Sequence, residues 1–472
     1  VHSNPFQLSA KFLILAFATQ LAYCHWTDDT KNYIMVTLFV ILTETTNKQS
    51  PAPEAPVAPT TSTSANTGSL DWVRQSGVAG ASTYGNGVAS DSAGNLYVTG
   101  YTDGSLDGQI KTTAGVNELF LTKYDSSGNK LWTKLLGSSS GGTMAYAIAT
   151  DSSNNVYITG TTSGSLDGQT WSGSMDLFLV KYDSTGSKLW TRQLGNGNTT
   201  DARGIAIDGF GNPYVTGYTF SSLDGQTLTG VSDLYVVKYN SSGNKQWTKL
   251  LGVASKSVNS TAITSDSPGN VYVSGFTNGA VDGAVTGLND SLVVKFNSSG
   301  TKQWARQLGV SGKNTYGYGV AIDASGNVYT TGSTYGSLDG NSLTGFADLF
   351  LIKYDTSGNK QWTKLLGIGS NKNTEGRAVI SDSAGILHIT GYTSGNLDGQ
   401  TLSGIQDLIA VKYDASGNKQ WTKLLGASTK QTNGYGIASD SSGNLYATGI
   451  TTGSLSDQTV SGTQDSVAVK LK

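Results

Sequence analysis

Over most of the chain, apolar and β-branched residues come in short runs of roughly four to eight, cut off by clusters of Gly, Asn, Asp and Ser, and no stretch spaces them at a helical period. The runs recur in sets of four. The first of each set is small and apolar and ends in Asp: GVASD to Asp91, AIATD to Asp151, GIAID to Asp208, AITSD to Asp266, GVAID to Asp323, AVISD to Asp382 and GIASD to Asp440. The second reads LYVTG, VYITG, PYVTG, VYVSG, VYTTG, LHITG and LYATG. The third runs from an acidic residue to Lys-Tyr, as in DLFLVKYD from Asp176, and the fourth holds a Trp. Trp72, Trp132, Trp190, Trp247, Trp304, Trp362 and Trp421 mark seven periods spaced by 57 to 60 residues.

Tight turns of the form D-x-x-G-N, such as DASGN from Asp323, join the first run to the second and the third to the fourth. Asp bonds the backbone ahead of it and Gly supplies the positive φ that closes a hairpin. The pattern therefore predicts four antiparallel strands per unit and an all-β, seven-bladed β-propeller. The Gly- and Ala-rich first strand suits the crowded axis, and the Trp strand suits the periphery, where gaps between blades are wide. The domain opens on a Trp strand, LDWVRQSG, and ends on a third-type strand, DSVAVKLK. Pairing of these two would complete the seventh blade and remove exposed edges.

The xxAxDxxGNxYVTG units resemble those of the SBBP family of bacterial seven-bladed propeller repeats, and the resemblance covers Ser69 to Lys472. It implies the fold and an exported or surface-associated setting, and assigns no activity. The D-x-x-G-x-x-x-W element is also similar to repeats of quinone-cofactor propeller dehydrogenases and of outer-membrane assembly scaffolds. Those usually have eight blades, and the dehydrogenases commonly carry a cysteine pair, neither of which is present here.

The chain has 472 residues and a net charge of −2, with Lys and Arg spread evenly along it, which gives no electrostatic footprint for nucleic acid. Cys24 is the only cysteine, so an internal disulfide and a thiolate metal cage are excluded. Of the three histidines, His2, His25 and His388, only the last lies beyond the N-terminal region. No metal and no cofactor are expected.

Residues 1–49 read as an export or anchor segment. KFLILAFATQLAYC, from Lys11, resembles a bacterial lipoprotein signal, in which Cys24 would be the lipidated residue; Tyr23 departs from the small residue usual there. A second apolar run spans Tyr33 to Leu42, and each run is shorter than the ~20 residues of a spanning helix. A start at Met35 would discard Cys24. Residues 50–68 form a Pro/Thr/Ser-rich linker, which reads as an extended tether to the propeller of 69–472.

Because tight turns occupy one face, the longer loops share the other. That loop face repeats SLDGQ, with Asp107, Asp167, Asp224, Asp282, Asp339 and Asp398. One such Asp per loop is too sparse for calcium, which takes 6–8 oxygens, so Asp-Gly turns are the preferred reading. The Lys of each third strand, from Lys123 to Lys470, is expected to pair with the Asp ending an innermost strand. GSSSG at Gly137 matches G-x-S-x-G but sits in a Gly/Ser-rich loop and carries no nucleophile reading.

Positions that vary although their surroundings repeat are more informative. Just before the innermost strand, at the channel mouth, stand Asn86, Tyr146, Arg203, Thr261, Tyr318, Arg377 and Tyr435; just after the second strand stand Tyr101, Thr161, Tyr218, Phe276, Ser333, Tyr392 and Ile450. Asp103, Phe220, Tyr335 and Trp171 lie further along the same loops, and Glu375 joins Arg377 in the densest charged spot. Aromatic and Arg residues on loops favour recognition, although an exposed, tolerant position would also drift. The leading reading is a monomeric, non-enzymatic binding or scaffold propeller, at the outer membrane, at the cell surface or secreted, that recognises a protein or glycan. A polysaccharide-acting hydrolase or lyase and a structural surface-layer component are the alternatives.

Overall fold

The computed structural model describes residues 68–472, apart from positions 114 and 370. The expected export segment, the linker up to residue 67 and Cys24 lie outside the described residues. Among the described residues, 28 strands form seven four-stranded antiparallel sheets. Blade 1 is typical: Thr83–Ser90 innermost, then Leu96–Thr102, Glu118–Tyr124 and, outermost, Lys130–Leu136. The innermost strands follow one another around a closed ring, the seventh packing on the first. Blade 7 consists of Thr432–Ser439, Leu445–Thr451 and Asp465–Leu471, and its outer strand is the N-terminal Leu70–Ser76. Ring closure by strand pairing leaves no seam between the ends of the domain.

The core lies between blades. Leu119 and Leu121 of blade 1 pack with Ile158, Phe178 and Val180 of blade 2, and the other interfaces repeat the arrangement. Third strands such as Asp176–Tyr182 are buried along their whole length, whereas outer strands begin exposed. Sandwiching on both faces explains why the third runs lack strict alternation.

The turn motif is an inter-blade device. Asp91 Oδ1 accepts the backbone N–H groups of Ala93 and Asn95 at 3.0 and 2.8 Å, while Oδ2 accepts the Asn95 amide at 2.8 Å and the Tyr97 hydroxyl at 3.1 Å. Lys123 lies 3.7 Å from Asp91, 4.9 Å above the Tyr97 ring, and donates to Ser184 O of the next blade. The expected Lys–Asp pairing recurs at Lys181–Asp151 and Lys238–Asp208. Lys470 pairs with Asp71 of the outer strand at 3.4 Å, and Lys295, Lys353 and Lys470 share with the first three the seat over the second-strand Tyr, so the aromatic ring is the more general partner. Trp72 donates to Ser126 O of the neighbouring turn, where a Cβ on Gly128 would come within 2.9 Å of its ring. His388 replaces the usual Tyr in blade 6 and contacts Asp382 at 3.4 Å. It therefore belongs to the turn face.

Candidate functional site

Each innermost strand carries one β-bulge, and it falls at the same place in all seven blades. Pairing with the second strand slips between Gly85 and Gly87, Ala145 and Ala147, Ala202 and Gly204, Ser260 and Ala262, Gly317 and Gly319, Gly376 and Ala378, and Gly434 and Gly436. The residues left unpaired are the first variable series. Asn86, Tyr146, Arg203, Thr261, Tyr318, Arg377 and Tyr435 thus stand inside the innermost strands rather than just before them. Small residues flank every bulge because the extra residue bends the strand and crowds the backbone.

The bulge also explains the Gly that ends each Y-V-T-G run. A Cβ on Gly100, Gly160, Gly217, Gly275, Gly332, Gly391 or Gly449 would lie only 1.6–2.0 Å from a carbonyl oxygen of the bulged strand. No side chain fits there. One local distortion therefore fixes a Gly on one strand and turns a free side chain toward the axis on the other.

All seven bulge residues, with Tyr218, Ser260 and Phe276, line one open cavity of about 370 Å³ at the channel mouth. Below it the channel narrows and is lined by apolar residues that follow the bulges, among them Val88, Ile148, Ile205 and Val320. The side chains of the mouth are polar and aromatic; those added in the shaft are small and aliphatic.

The second variable series also sits within a strand, as the penultimate residue of each second strand, rather than after it. Each member faces the residue two before the bulge: Tyr84 opposite Tyr101, Asp201 opposite Tyr218, Asn259 opposite Phe276, and Glu375 opposite Tyr392. In blade 3, Arg203 pairs with Asp201 at 2.5 Å, the Tyr218 hydroxyl donates to Asp201 at 2.8 Å, and the guanidinium lies 4.4 Å from the Tyr146 ring of blade 2. Blade 6 repeats this: Arg377 pairs with Glu375 at 2.8 Å, bonds the Tyr392 hydroxyl at 3.2 Å and lies 4.4 Å from the Tyr318 ring of blade 5. Two matching Tyr–Arg–carboxylate–Tyr clusters thus stand three blades apart.

Burial works against the charge on Arg203, but Asp201 and the neighbouring phenols outweigh it and hold its pKa above the ordinary value. Arg377 is raised in the same way, burial being overcome by Glu375. Burial also pushes the Tyr318 phenol up to about 12, with Arg377 opposing, so this group is a neutral hydroxyl at physiological pH. The two arginines and two carboxylates cancel, leaving a charge-neutral mouth. Arg377 Nε and Asp201 Oδ1 are buried with no protein hydrogen-bond partner.

The other bulge residues differ. Asn86 and Thr261 bond carbonyls of the next blade, Ala145 O at 2.8 Å and Gly317 O at 2.9 Å, which ties blades together. Tyr101 stacks on Tyr84 at 4.6 Å and meets Tyr146 edge-on at 6.3 Å. Phe276 packs on Tyr316 at 4.9 Å and Tyr335 on the same ring at 6.2 Å. Phe220 packs on Tyr218, and Asp103 accepts the Ser82 N–H at 2.7 Å. Trp171 is exposed and does not line the mouth. Asp201 is the functional candidate that a reading of the two series alone omits; its signal was the parallel between D-A-R and E-G-R.

The SLDGQ aspartates are structural. Asp107, Asp167, Asp224, Asp339 and Asp398 all hold φ of 51–53° and pair with the Lys that opens the adjoining outer strand; Asp282 pairs with Arg306 at 3.4 Å. Among the described residues no three His, Cys, Asp or Glu side chains come together as a metal site. In GSSSG, the Ser138 hydroxyl bonds Gly141 within the loop.

The family model described as beta-propeller repeat, SBBP, matches seven times: residues 71–107, 131–167, 189–224, 246–281, 303–339, 361–398 and 420–455. An uncharacterized WD repeat-containing protein of Acanthamoeba polyphaga mimivirus is 25% identical over 412 residues, 66% of this chain and 29% of that protein. The regulatory protein FlaEY of Caulobacter vibrioides is 27% identical over 245 residues, 46% of this chain and 25% of that protein. The chain thus spans less than a third of the length of these relatives. A chain from a crystal structure of the mitotic checkpoint complex aligns over 91% of this chain and 99% of its own, at 12% identity and a TM-score of 0.49. Each SBBP match opens on an outer Trp strand and ends in the SLDGQ loop of the next blade, so the matches bridge neighbouring blades and together cover more than half of the sequence: this chain belongs to the SBBP beta-propeller repeat family.

Proposed function

We propose that this chain is a non-enzymatic binding or scaffold propeller that recognises a protein or glycan with its channel mouth. The observation that carries this reading is the set of seven bulges. The one unpaired, axis-facing position of each blade varies among Asn, Thr, Tyr and Arg, while the strand around it repeats. The resulting concavity combines rigid phenols with neutral ion pairs, a composition suited to contact recognition rather than long-range steering. The WD-repeat relative supports an interaction role by analogy of architecture. Catalysis has less support, since Asp201 and Glu375 are each closed by their own arginine. Export and attachment through residues 1–49 belong to the same proposal; among the described residues no helix is long and apolar enough to cross a membrane.

The test compares the intact chain with a Tyr146→Ala, Tyr318→Ala, Tyr435→Ala variant on a glycan array and in pull-downs. A ligand bound by the first and lost by the second, with the same circular dichroism, supports the reading. Equal binding by both removes it. Labelling with a fatty-acid probe, with and without Cys24→Ser, tests the anchor.

A further inference from the structure

The loop face is not uniform around the ring. In four consecutive blades the residue two before the third strand is a large apolar side chain: Val231, Leu288, Phe346 and Ile405 are 54%, 59%, 55% and 57% exposed. The backbone N–H of each donates to the carbonyl of a lysine in the next blade: Lys256, Lys313, Lys372 and Lys430, at 2.7, 2.8, 2.8 and 2.6 Å. Apolar side chain and lysine therefore alternate along an arc of rim. The remaining blades differ: Val116 of blade 1 is only partly exposed, Ser174 and Thr463 stand at the equivalent positions of blades 2 and 7, and Thr463 faces Ala81.

The four lysines are exposed, and among the described residues none has an ion-pair partner. Their stems lie along the glycines of the adjoining loops, as Lys256 does at Gly279 and Lys430 at Gly453, which points the ammonium groups outward. The acids nearest them are buried or paired: Asp233, Asp290, Asp348 and Asp407, two residues beyond the apolar side chains, are fully buried and accept backbone N–H groups of their own loops. Asp224, Asp339 and Asp398, the carboxylates in these loops, are taken by outer-strand lysines, and Asp282 by Arg306. Although lysines are spread evenly in the sequence, the fold gathers four exposed ones on one half of one face, with the acids beside them buried.

From this alternation we propose that the rim carrying Val231, Leu288, Phe346 and Ile405 docks onto an anionic lipid bilayer, the apolar side chains entering the interface and the lysines meeting headgroups. Rotational repetition sets equivalent residues at one height along the propeller axis, so the arc presents to a plane. Each apolar group sits in its own blade, apart from the next and flanked by lysine. Protein hot spots gather in packed, concave cores, whereas shallow interfacial binding adds separate apolar contacts to attraction by lysines. The inference does not depend on the channel mouth.

The experiment uses the full chain with Cys24→Ser and Phe346→Cys, labelled at that site with an environment-sensitive fluorophore and titrated with phosphatidylglycerol/phosphatidylcholine vesicles. A second labelled chain carries Phe210→Cys on the turn face, where the native side chain is 74% exposed. The expected result is a blue shift at position 346, absent at 210 and absent with phosphatidylcholine alone. Lys256→Gln, Lys313→Gln, Lys372→Gln and Lys430→Gln together should weaken it several-hundred-fold, about five-fold per lysine. No shift at 346, an equal shift at 210, equal shifts on neutral vesicles, or indifference to the lysine replacements would overturn the proposal. So would a shift that needs only a higher protein concentration, which would assign the arc to a second copy of the chain.

Discussion

The two faces of this propeller use the same seven-fold frame in opposite ways. On the turn face every blade solves one problem with one set of residues: Asp closes the turn, Tyr or His bonds that Asp, and Lys and Trp reach the neighbouring blade. Repetition is forced because each part reaches the turn of the next unit, as Trp72 does at Ser126 and Lys123 at Ser184. At the mouth on the loop face, the bulge frees one side chain per blade from strand pairing, and there the blades differ: Asn86 and Thr261 tie blades together, while Tyr and Arg face the cavity. Agreement between repeats therefore marks assembly, and disagreement marks positions that assembly leaves open.

The bulge itself tests this contrast most severely, because it creates the mouth yet depends on a repeated Gly. Gly217→Val puts a side chain where a Cβ would already lie 1.7 Å from Asp201 O, and should destabilise the domain by about 3 kcal/mol or more in urea unfolding. A cost below about 1 kcal/mol would show that the bulge can relax, and would detach the glycine from the mouth.

The turn face comes next. Burial alone would raise the Asp151 pKa, but bonds from Asn155, Tyr157 and the backbone, with Lys181 nearby, win and lower it; Asp323 is lowered in the same way. A carboxylate with a depressed folded pKa contributes stability above its unfolded value of about 4, and loses it as pH falls through the folded value. Asp151→Asn should cost about 2 kcal/mol at neutral pH and flatten the decline in thermal midpoint below about pH 4. An unchanged pH profile would mean the turn network does not govern acid stability.

The smallest effect belongs to the mouth. Tyr435→Ala should lower stability by about 1 kcal/mol or less, since no strand pairing rests on that side chain. A loss comparable to that of Asp151→Asn would mean that the mouth, too, is a structural element.

Much of the frame was legible from particular residues. The Trp period counted the blades, the D-x-x-G-N turns set the hairpins, and the unlike ends of the domain predicted closure by the first strand. The same reading placed the two variable series in loops, although both lie within strands. It missed the bulge because its sign, small residues on either side, is hidden in a Gly- and Ala-rich strand. It also treated each Lys as an Asp partner, where the Tyr ring is the commoner seat.

What the sequence determined by itself is whatever a single repeat can express: strand lengths, turn chemistry, blade number and the order of strands from axis to rim. These depend on local spacing and on contacts between identical neighbours. Only the tertiary structure decided that residues 201, 203 and 218 meet Tyr146, that 375, 377 and 392 meet Tyr318, and that four evenly spaced lysines share one arc. The members of these groupings stand one repeat period apart, which names equivalent positions in neighbouring blades but does not say whether the side chains meet or lie exposed.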